Sequence, residues 1–151
     1  MKRLFTPILV GLFLLPAAAT WAGPFGLGII VGEPTGLSAK LRLSRPNAID
    51  GALAWSLDGS DDLHIHADYL WHNYNLIPVK KGQLPLYFGI GGRVQLREDR
   101  DDHVGVRFPV GLEYTFATAP FNVFGEIAGI LDLNPDTEFD MNGGFGVRYT
   151  F

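Results

Sequence analysis

From Phe25 to the end of the chain, apolar side chains alternate with polar or small ones at a period of two, which strands produce and helices do not. The alternation predicts eight strands. Strand one, Phe25 to Gly32, sets Phe25, Leu27, Ile29 and Val31 against Gly26, Gly28 and Gly32, and Glu33-Pro34-Thr35-Gly36 turns the chain. Strand two, Leu37 to Ser44, opposes Leu37, Ala39, Leu41 and Leu43 to Ser38, Lys40, Arg42 and Ser44; Arg45-Pro46-Asn47 follows as a turn. Strand three, Ala48 to Leu57, carries Ile49, Leu53, Trp55 and Leu57 on one face and Asp50, Ala52, Ala54 and Ser56 on the other. Strand four, Leu63 to His72, repeats the arrangement with Leu63, Ile65, Ala67, Tyr69 and Trp71 against His64, His66, Asp68, Leu70 and His72.

The second half continues the pattern. Strand five, Leu86 to Leu96, opposes Phe88, Ile90, Val94 and Leu96 to Tyr87, Gly89, Gly91, Arg93 and Gln95. Strand six alternates without error from Val104 to Phe116, against Gly105, Arg107, Pro109, Gly111, Glu113 and Thr115. Strand seven, Phe121 to Leu131, sets Val123 and Ile127 against Glu126, with Phe124 and Ile130 as apolar intrusions on the polar face. Strand eight is read over Phe145 to Phe151, with Phe145, Val147, Tyr149 and Phe151 opposite Gly146, Arg148 and Thr150. An oily face opposed to a face carrying arginine, lysine and carboxylates fits a barrel with lipid outside and a polar interior. The expected fold is therefore all-β, an eight-stranded antiparallel up-and-down transmembrane β-barrel spanning residues 23–151.

The N-terminus adds a second line of argument. Lys2 and Arg3 precede an apolar run from Leu4 to Leu15, a Pro16 breaker and small residues up to Ala22, the pattern of a cleaved secretory signal peptide over residues 1–22. Cleavage falls after Ala22 or after Ala19. The run is shorter than the ~20 apolar residues a membrane helix needs. Its removal lowers the basic count from 12 to 10 against 16 acidic residues, a formal charge of −6 that argues against a nucleic-acid partner. The chain has no cysteine, so no disulfide framework and no thiol chemistry enters.

On these strands the interior collects Lys40, Arg42, Arg93, Arg107 and Arg148 with Asp50, Asp68, Glu113 and Glu126. Eight strands leave a lumen that side chains can fill, so these charges are expected to pair as a network rather than line an open pore. His64 and His66 share a face with Asp68 and His72, a weak metal pattern without a defined third ligand. Ser60, Asp62 and His64 form the only catalytic casting, and Ser60 sits in a loop explained as a solvated turn. Asp132 to Asp140 is read as an acidic outer loop. Its resemblance to a calcium loop fails at Thr137, where glycine is required, and at Pro135. Trp55, Tyr69, Trp71, Tyr87, Tyr114 and Tyr149 are assigned to an interface belt or to packing. No catalytic residue, metal ligand or cofactor is expected.

Loops after strands three, five and seven are acidic, while those after two, four and six are basic or neutral. Alternate loops share a side, and with a periplasmic N-terminus, as a resemblance to the known even-stranded bacterial barrels implies, the acidic loops face outward and the basic ones the periplasm. The final strand, ending on Phe151, resembles the C-terminal strand that the barrel-assembly machinery reads in bacterial outer-membrane barrels, with Phe145, Val147, Tyr149 and Phe151 as the signal. Gly28 to Leu43 with Gly32-Glu-Pro-Thr-Gly36, His64 to His72, Gly89-Ile-Gly-Gly-Arg93 and Val106-Arg-Phe-Pro-Val-Gly111 resemble a family of small bacterial outer-membrane barrels of outer-membrane protein A-like architecture. The resemblance implies the outer membrane of a Gram-negative bacterium, with outer-membrane lipid and lipopolysaccharide as surroundings. It transfers no catalytic residue. The expected function is a structural or surface-interaction role through acidic outer loops. The alternatives are a lipid A-modifying enzyme, a narrow ion or solute channel and a soluble lipocalin-like barrel.

Overall fold

The computed structural model describes residues 24–32, 35–55, 62–97, 102–134 and 137–151. The strands are β1 (Phe25–Gly32), β2 (Gly36–Arg42), β3 (Asn47–Trp55), β4 (Leu63–Asn73), β5 (Leu86–Leu96), β6 (His103–Thr115), β7 (Phe121–Asn134) and β8 (Glu138–Thr150). Each pairs antiparallel with its neighbour in sequence and β8 returns to β1, closing a barrel in strand order. Closure gives both long sides of a strand a partner, which an apolar surrounding demands. The expected signal segment, residues 1–22, lies outside the described residues, as do Ser56 and Leu57 of the expected third strand.

The barrel is polar inside and apolar outside. Its buried positions hold fourteen polar or charged residues and nine hydrophobic ones, four of them alanine. The outward positions of every strand carry exposed large apolar side chains, among them Ile29, Leu53, Ile65, Ile90, Phe108, Ile127 and Val147. A soluble ligand-binding barrel would have these proportions reversed.

Aromatic rings gather at the end of the barrel where β1 begins and β8 ends. Phe25 meets Phe151, Phe151 meets Tyr149 and Tyr149 meets Phe121, with centroids 6.1, 4.9 and 5.2 Å apart. Tyr114–Phe116, Tyr69–Trp71 and Trp71–Phe88 continue the ring at 4.9, 4.8 and 5.9 Å. Such a girdle suits the polar–apolar boundary of a bilayer. Trp55 stands at the opposite rim, beside Leu63. Tyr87 is the packing member of the aromatic set: it points into the lumen, on the face that the alternation of strand five gives it, and is 1% exposed.

Two positions locally decide the wall. Pro109 has no N–H to give, and the β5–β6 ladder breaks there: pairing runs to Phe88↔Val110 and resumes only at Gly91↔Arg107. At the β1–β2 turn, Gly32 takes φ +137°, which favours glycine, and Thr35 clamps it by donating its hydroxyl to Gly32 O at 2.8 Å and accepting from Gly32 N at 2.9 Å. That clamp keeps β1 and β2 to 8 and 7 residues, while β6, β7 and β8 run 13, 14 and 13. The wall is therefore low at β1–β2 and tall at β6–β8.

The last hairpin departs from the sequence reading. The expected acidic loop from Asp132 to Asp140 is mostly strand: Asp132 lies in β7, Glu138 and Asp140 lie in β8, and Asp132 pairs with Glu138. Alternation continues through Asp132, Leu133, Phe139 and Asp140, but proline and carboxylates at alternate positions mimic a solvated loop. A register shift opposite Val104 and Gly105 absorbs one extra β7 residue at the rim.

At Gly28 β1 lies close against β8, since a Cβ there would collide with the backbone of Val147 and Arg148. Gly28→Val should force this seam apart and cost about 1–3 kcal/mol, the usual price of overpacking. Urea unfolding of the refolded protein in detergent micelles measures it; an unchanged midpoint would show that the strands do not approach this closely.

Candidate functional site: the charged interior

Of the nine interior charges read from the sequence, eight are buried, and Arg42 is a third exposed at the rim. They reach one another because alternate residues of adjacent strands point inward at matched heights, as in Lys40↔Asp50↔Asp68↔Gly91↔Arg107 across β2 to β6. Gly91 is small because a Cβ there would strike the Asp68 carboxylate. Gly111 and Gly146 likewise clear space for the rings of Tyr87 and Phe124.

Three groups stack along the lumen. Nearest the aromatic end, Lys40 Nζ donates to Glu113 Oε2 at 2.5 Å and to His72 Nε2 at 2.6 Å. An ammonium only donates, so His72 Nε2 accepts and its Nδ1–H donates to Pro46 O at 3.1 Å. The imidazole is held as a fixed neutral tautomer. Arg42 Nη2 lies 3.9 Å from Glu113 Oε1.

The middle group is built around two guanidiniums. Arg148 donates to Ser38 Oγ at 3.0 Å and Asp50 Oδ2 at 3.2 Å, lies 3.5 Å from Glu113 Oε2, and covers the Phe124 ring at 3.9 Å. Arg107 donates to Glu126 Oε2 at 3.0 Å and to His66 Nδ1 at 2.9 Å, with its Nε 3.3 Å from Asp68 Oδ1. Tyr87 donates its hydroxyl to the other Glu126 oxygen at 3.0 Å. At the far end, Arg93 grips Asp132 with two bonds at 2.6 and 3.1 Å and lies 3.7 Å from Asp140. His103 Nδ1 sits 3.3 Å from the same Asp132.

Asp132 is the partner that sequence reasoning missed, because it was assigned to a loop. Its inclusion gives four buried cations, Lys40, Arg93, Arg107 and Arg148, against five buried carboxylates, Asp50, Asp68, Glu113, Glu126 and Asp132. Arg42 at the rim supplies the fifth cation. Tyr87, Ser38 and His72 complete the network with neutral groups whose polar atoms carry no signal in the charge pattern. Ile30, Ala52 and Phe124 form a small apolar cluster inside the same wall, so Phe124 intrudes on the polar face as the sequence indicated.

The metal and catalytic readings fare differently. Asp50, His66 and Asp68 place one ligand atom each within 4.8 Å of one another. Arg148 bonds Asp50 Oδ2, and Arg107 bonds His66 Nδ1 with its Nε 3.3 Å from Asp68 Oδ1, so two guanidiniums lie against this group and supply its positive charge, although Asp50 Oδ1 and both Asp68 oxygens have no hydrogen-bond partner. His64 is separated from this group, its ring edge-on to His66 at 5.6 Å. Ser60 lies outside the described residues, and no described contact joins Asp62 to His64.

No protein-family model matches the chain, and no curated protein matches it either. Among solved structures it is similar to the N-terminal β-barrel domain of Pseudomonas aeruginosa OprF, with a TM-score of 0.57 and 17% identity, covering 84% of this chain and 95% of that one. At that identity the likeness shows the fold, a β-barrel.

Arg107→Met should destabilise the barrel by about 3–5 kcal/mol because Asp68 and Glu126 lose their shared cation in a buried setting. Arg42→Met, at a third-exposed site, should cost under about 1 kcal/mol. Micelle unfolding curves compare the two, and equal losses would contradict a buried network. Zinc should leave the melting temperature of the refolded protein unchanged; a saturable rise abolished in a His64, His66 double variant would overturn the guanidinium account.

Proposed function

We propose that the protein is an outer-membrane β-barrel of a Gram-negative bacterium, without enzymatic or channel activity, that works through the acidic end of the barrel. The observation supporting this reading most directly is a wholly apolar exterior around a lumen occupied by paired charges. Arg107, Arg148, Tyr87, Leu70 and Ile130 are among the largest fully buried side chains, and all five project inward. A pore would need the same residues drawn back against the wall. An apolar groove of about 480 Å³ lies on the lipid side instead, lined by Ile29, Val31, Leu112, Val123, Phe145 and Val147.

In this reading, residues 1–22 direct secretion, and the outward face of β8 with Phe145, Val147, Tyr149 and Phe151 engages the assembly machinery. The girdled end, holding Arg42, Arg45, Lys80 and Lys81, faces the periplasm. The other end, with Asp62, Asp102, Glu138 and Asp140, faces lipopolysaccharide and the exterior. Mutual repulsion keeps such an acidic rim solvated and suits it to cationic partners.

The test has three readouts on the same preparation and strain. Refolded into micelles, unboiled protein should migrate differently from boiled protein, as a closed barrel does. In planar bilayers it should pass no current, and lipid A from cells with and without it should carry the same acyl chains. Steady conductance would replace this reading with a channel, and an altered acyl pattern would replace it with a lipid A-modifying enzyme.

A further inference from the structure

β8 outruns its neighbour. Its pairing with β1 ends at Gly32↔Gly144, whereas its pairing with β7 continues up to Asp132↔Glu138. Residues 138–142 thus have β7 on one side and, among the described residues, no strand on the other. Four of them in succession, Glu138, Phe139, Asp140 and Met141, are exposed.

Hydrogen bonding shows which backbone groups face that open side. Phe151 N bonds to Phe25 O on β1 at 2.8 Å, and Thr150 N bonds to Pro120 O, just before β7, at 2.7 Å. Odd-numbered residues of β8 therefore face the β1 side and even-numbered ones the β7 side, since the direction alternates along a strand. Met141 agrees, because its N–H bonds not to β7 but to the neighbouring Asp140 Oδ1 at 2.8 Å. The open edge thus presents the backbone of Phe139 and Met141, with one donor capped by the Asp140 side chain.

The side chains beside this edge define what it fits. Phe139 and Met141 project outward and are 70% and 54% exposed, continuing the apolar band. Glu138 and Asp140 project inward, near Asp132 and Asp102, with Arg93 and Arg97 as the described arginines at this end. A partner strand laid along the edge would meet apolar side chains on one face and carboxylates on the other.

We propose that the β8 edge over residues 138–142 is a docking site for an extended peptide segment in which apolar and basic residues alternate, bound by strand addition. The open length is about 16 Å at ~3.3 Å per residue, enough for five residues of a partner. Its basic side chains pair with Glu138 and Asp140, its apolar ones pack on Phe139 and Met141, and its carbonyl takes the Met141 N–H from Asp140. This deepens the surface-interaction role proposed above and rests on the acidic end facing outward.

The experiment uses the full-length mature protein refolded in micelles, with its heat-dependent mobility checked first so that failure of the barrel reading is seen separately. A fluorescent, end-blocked peptide Lys-Val-Lys-Val-Lys-Val-Lys should bind saturably by anisotropy and slow hydrogen exchange at Phe139 and Met141. Met141→Pro removes only an N–H that points away from β7, so the barrel persists, and it should weaken binding at least tenfold; Glu138→Lys should also weaken it and favour a Glu-Val counterpart. No saturable binding, equal binding by the Pro variant, equal binding of the Glu-Val peptide by the unaltered protein, or slow exchange at Met141 before peptide is added would each overturn the proposal. The chain has no cysteine, so labelling a Glu138→Cys variant on intact cells with an impermeant maleimide reports orientation independently.

Discussion

A charged interior inside an apolar exterior can persist only if its charges cancel at short range, and the rest of this barrel follows from that condition. Moving an ion from water into such a wall costs several kcal/mol even after relaxation, so each carboxylate must meet a cation from another strand. Arg148 on β8 does this for Asp50 on β3 and Glu113 on β6, joining strands that do not adjoin in the wall. Arg107 on β6 reaches Asp68 on β4, two strands away, and Glu126 on the adjoining β7. These bonds cross the lumen, where the backbone ladders only run around it. A one-residue slip of any strand would turn its charged face into lipid, so the network also fixes register.

Cancellation needs reach as well as sign, and reach is bought with glycine. Large inward groups such as Tyr87, Phe124 and Asp68 sit beside Gly111, Gly146 and Gly91, whose missing side chains leave the room they occupy. The result is a filled cross-section rather than a lined one. Neutral groups then finish what charges begin: Tyr87 satisfies the Glu126 oxygen that Arg107 does not reach, and His72 relays Lys40 to a turn carbonyl. Groups bonded in this way have fixed hydrogen-bond directions, while Asp50 Oδ1, both Asp68 oxygens and Glu113 Oε1 have no hydrogen-bond partner and are held by the nearby cations alone.

Most of the architecture was legible in the sequence because alternation at a period of two survives wherever a strand separates lipid from a polar lumen. Val104 to Tyr114 shows this in full, and even Pro109 only interrupts one ladder without displacing the faces. The reading failed where local chemistry imitated another state. Asp132, Asn134, Asp136, Glu138 and Asp140 look like a solvated loop, yet Asp132 is the bidentate partner of Arg93 and Asp140 is strand. For Tyr87 residue type left belt and packing both open, and it was the alternation with Phe88 that set it on the inner face, where it is buried. Which carboxylate serves which arginine was not legible at all, since it depends on strand tilt and on side chains meeting across the lumen.

The uneven rim follows from the same physics. Gly32 and the Thr35 clamp end β1 early, so the tall β7–β8 hairpin rises past it with an edge that, among the described residues, has no neighbouring strand and has backbone groups facing that side. In hydrocarbon each unpaired group would cost several kcal/mol, and the exposed Asp140 carboxylate cannot cap more than one of them. That edge therefore belongs at or above the lipid headgroups, where water can serve those groups until a partner replaces it. That height agrees with the charge pattern, because Glu138 and Asp140 tolerate no deeper position while Phe139 and Met141 need an apolar neighbour on their own side. A strand end that is half apolar and half acidic, with its edge open, has its requirements met only at an interface. The fold places it there by making its neighbour short.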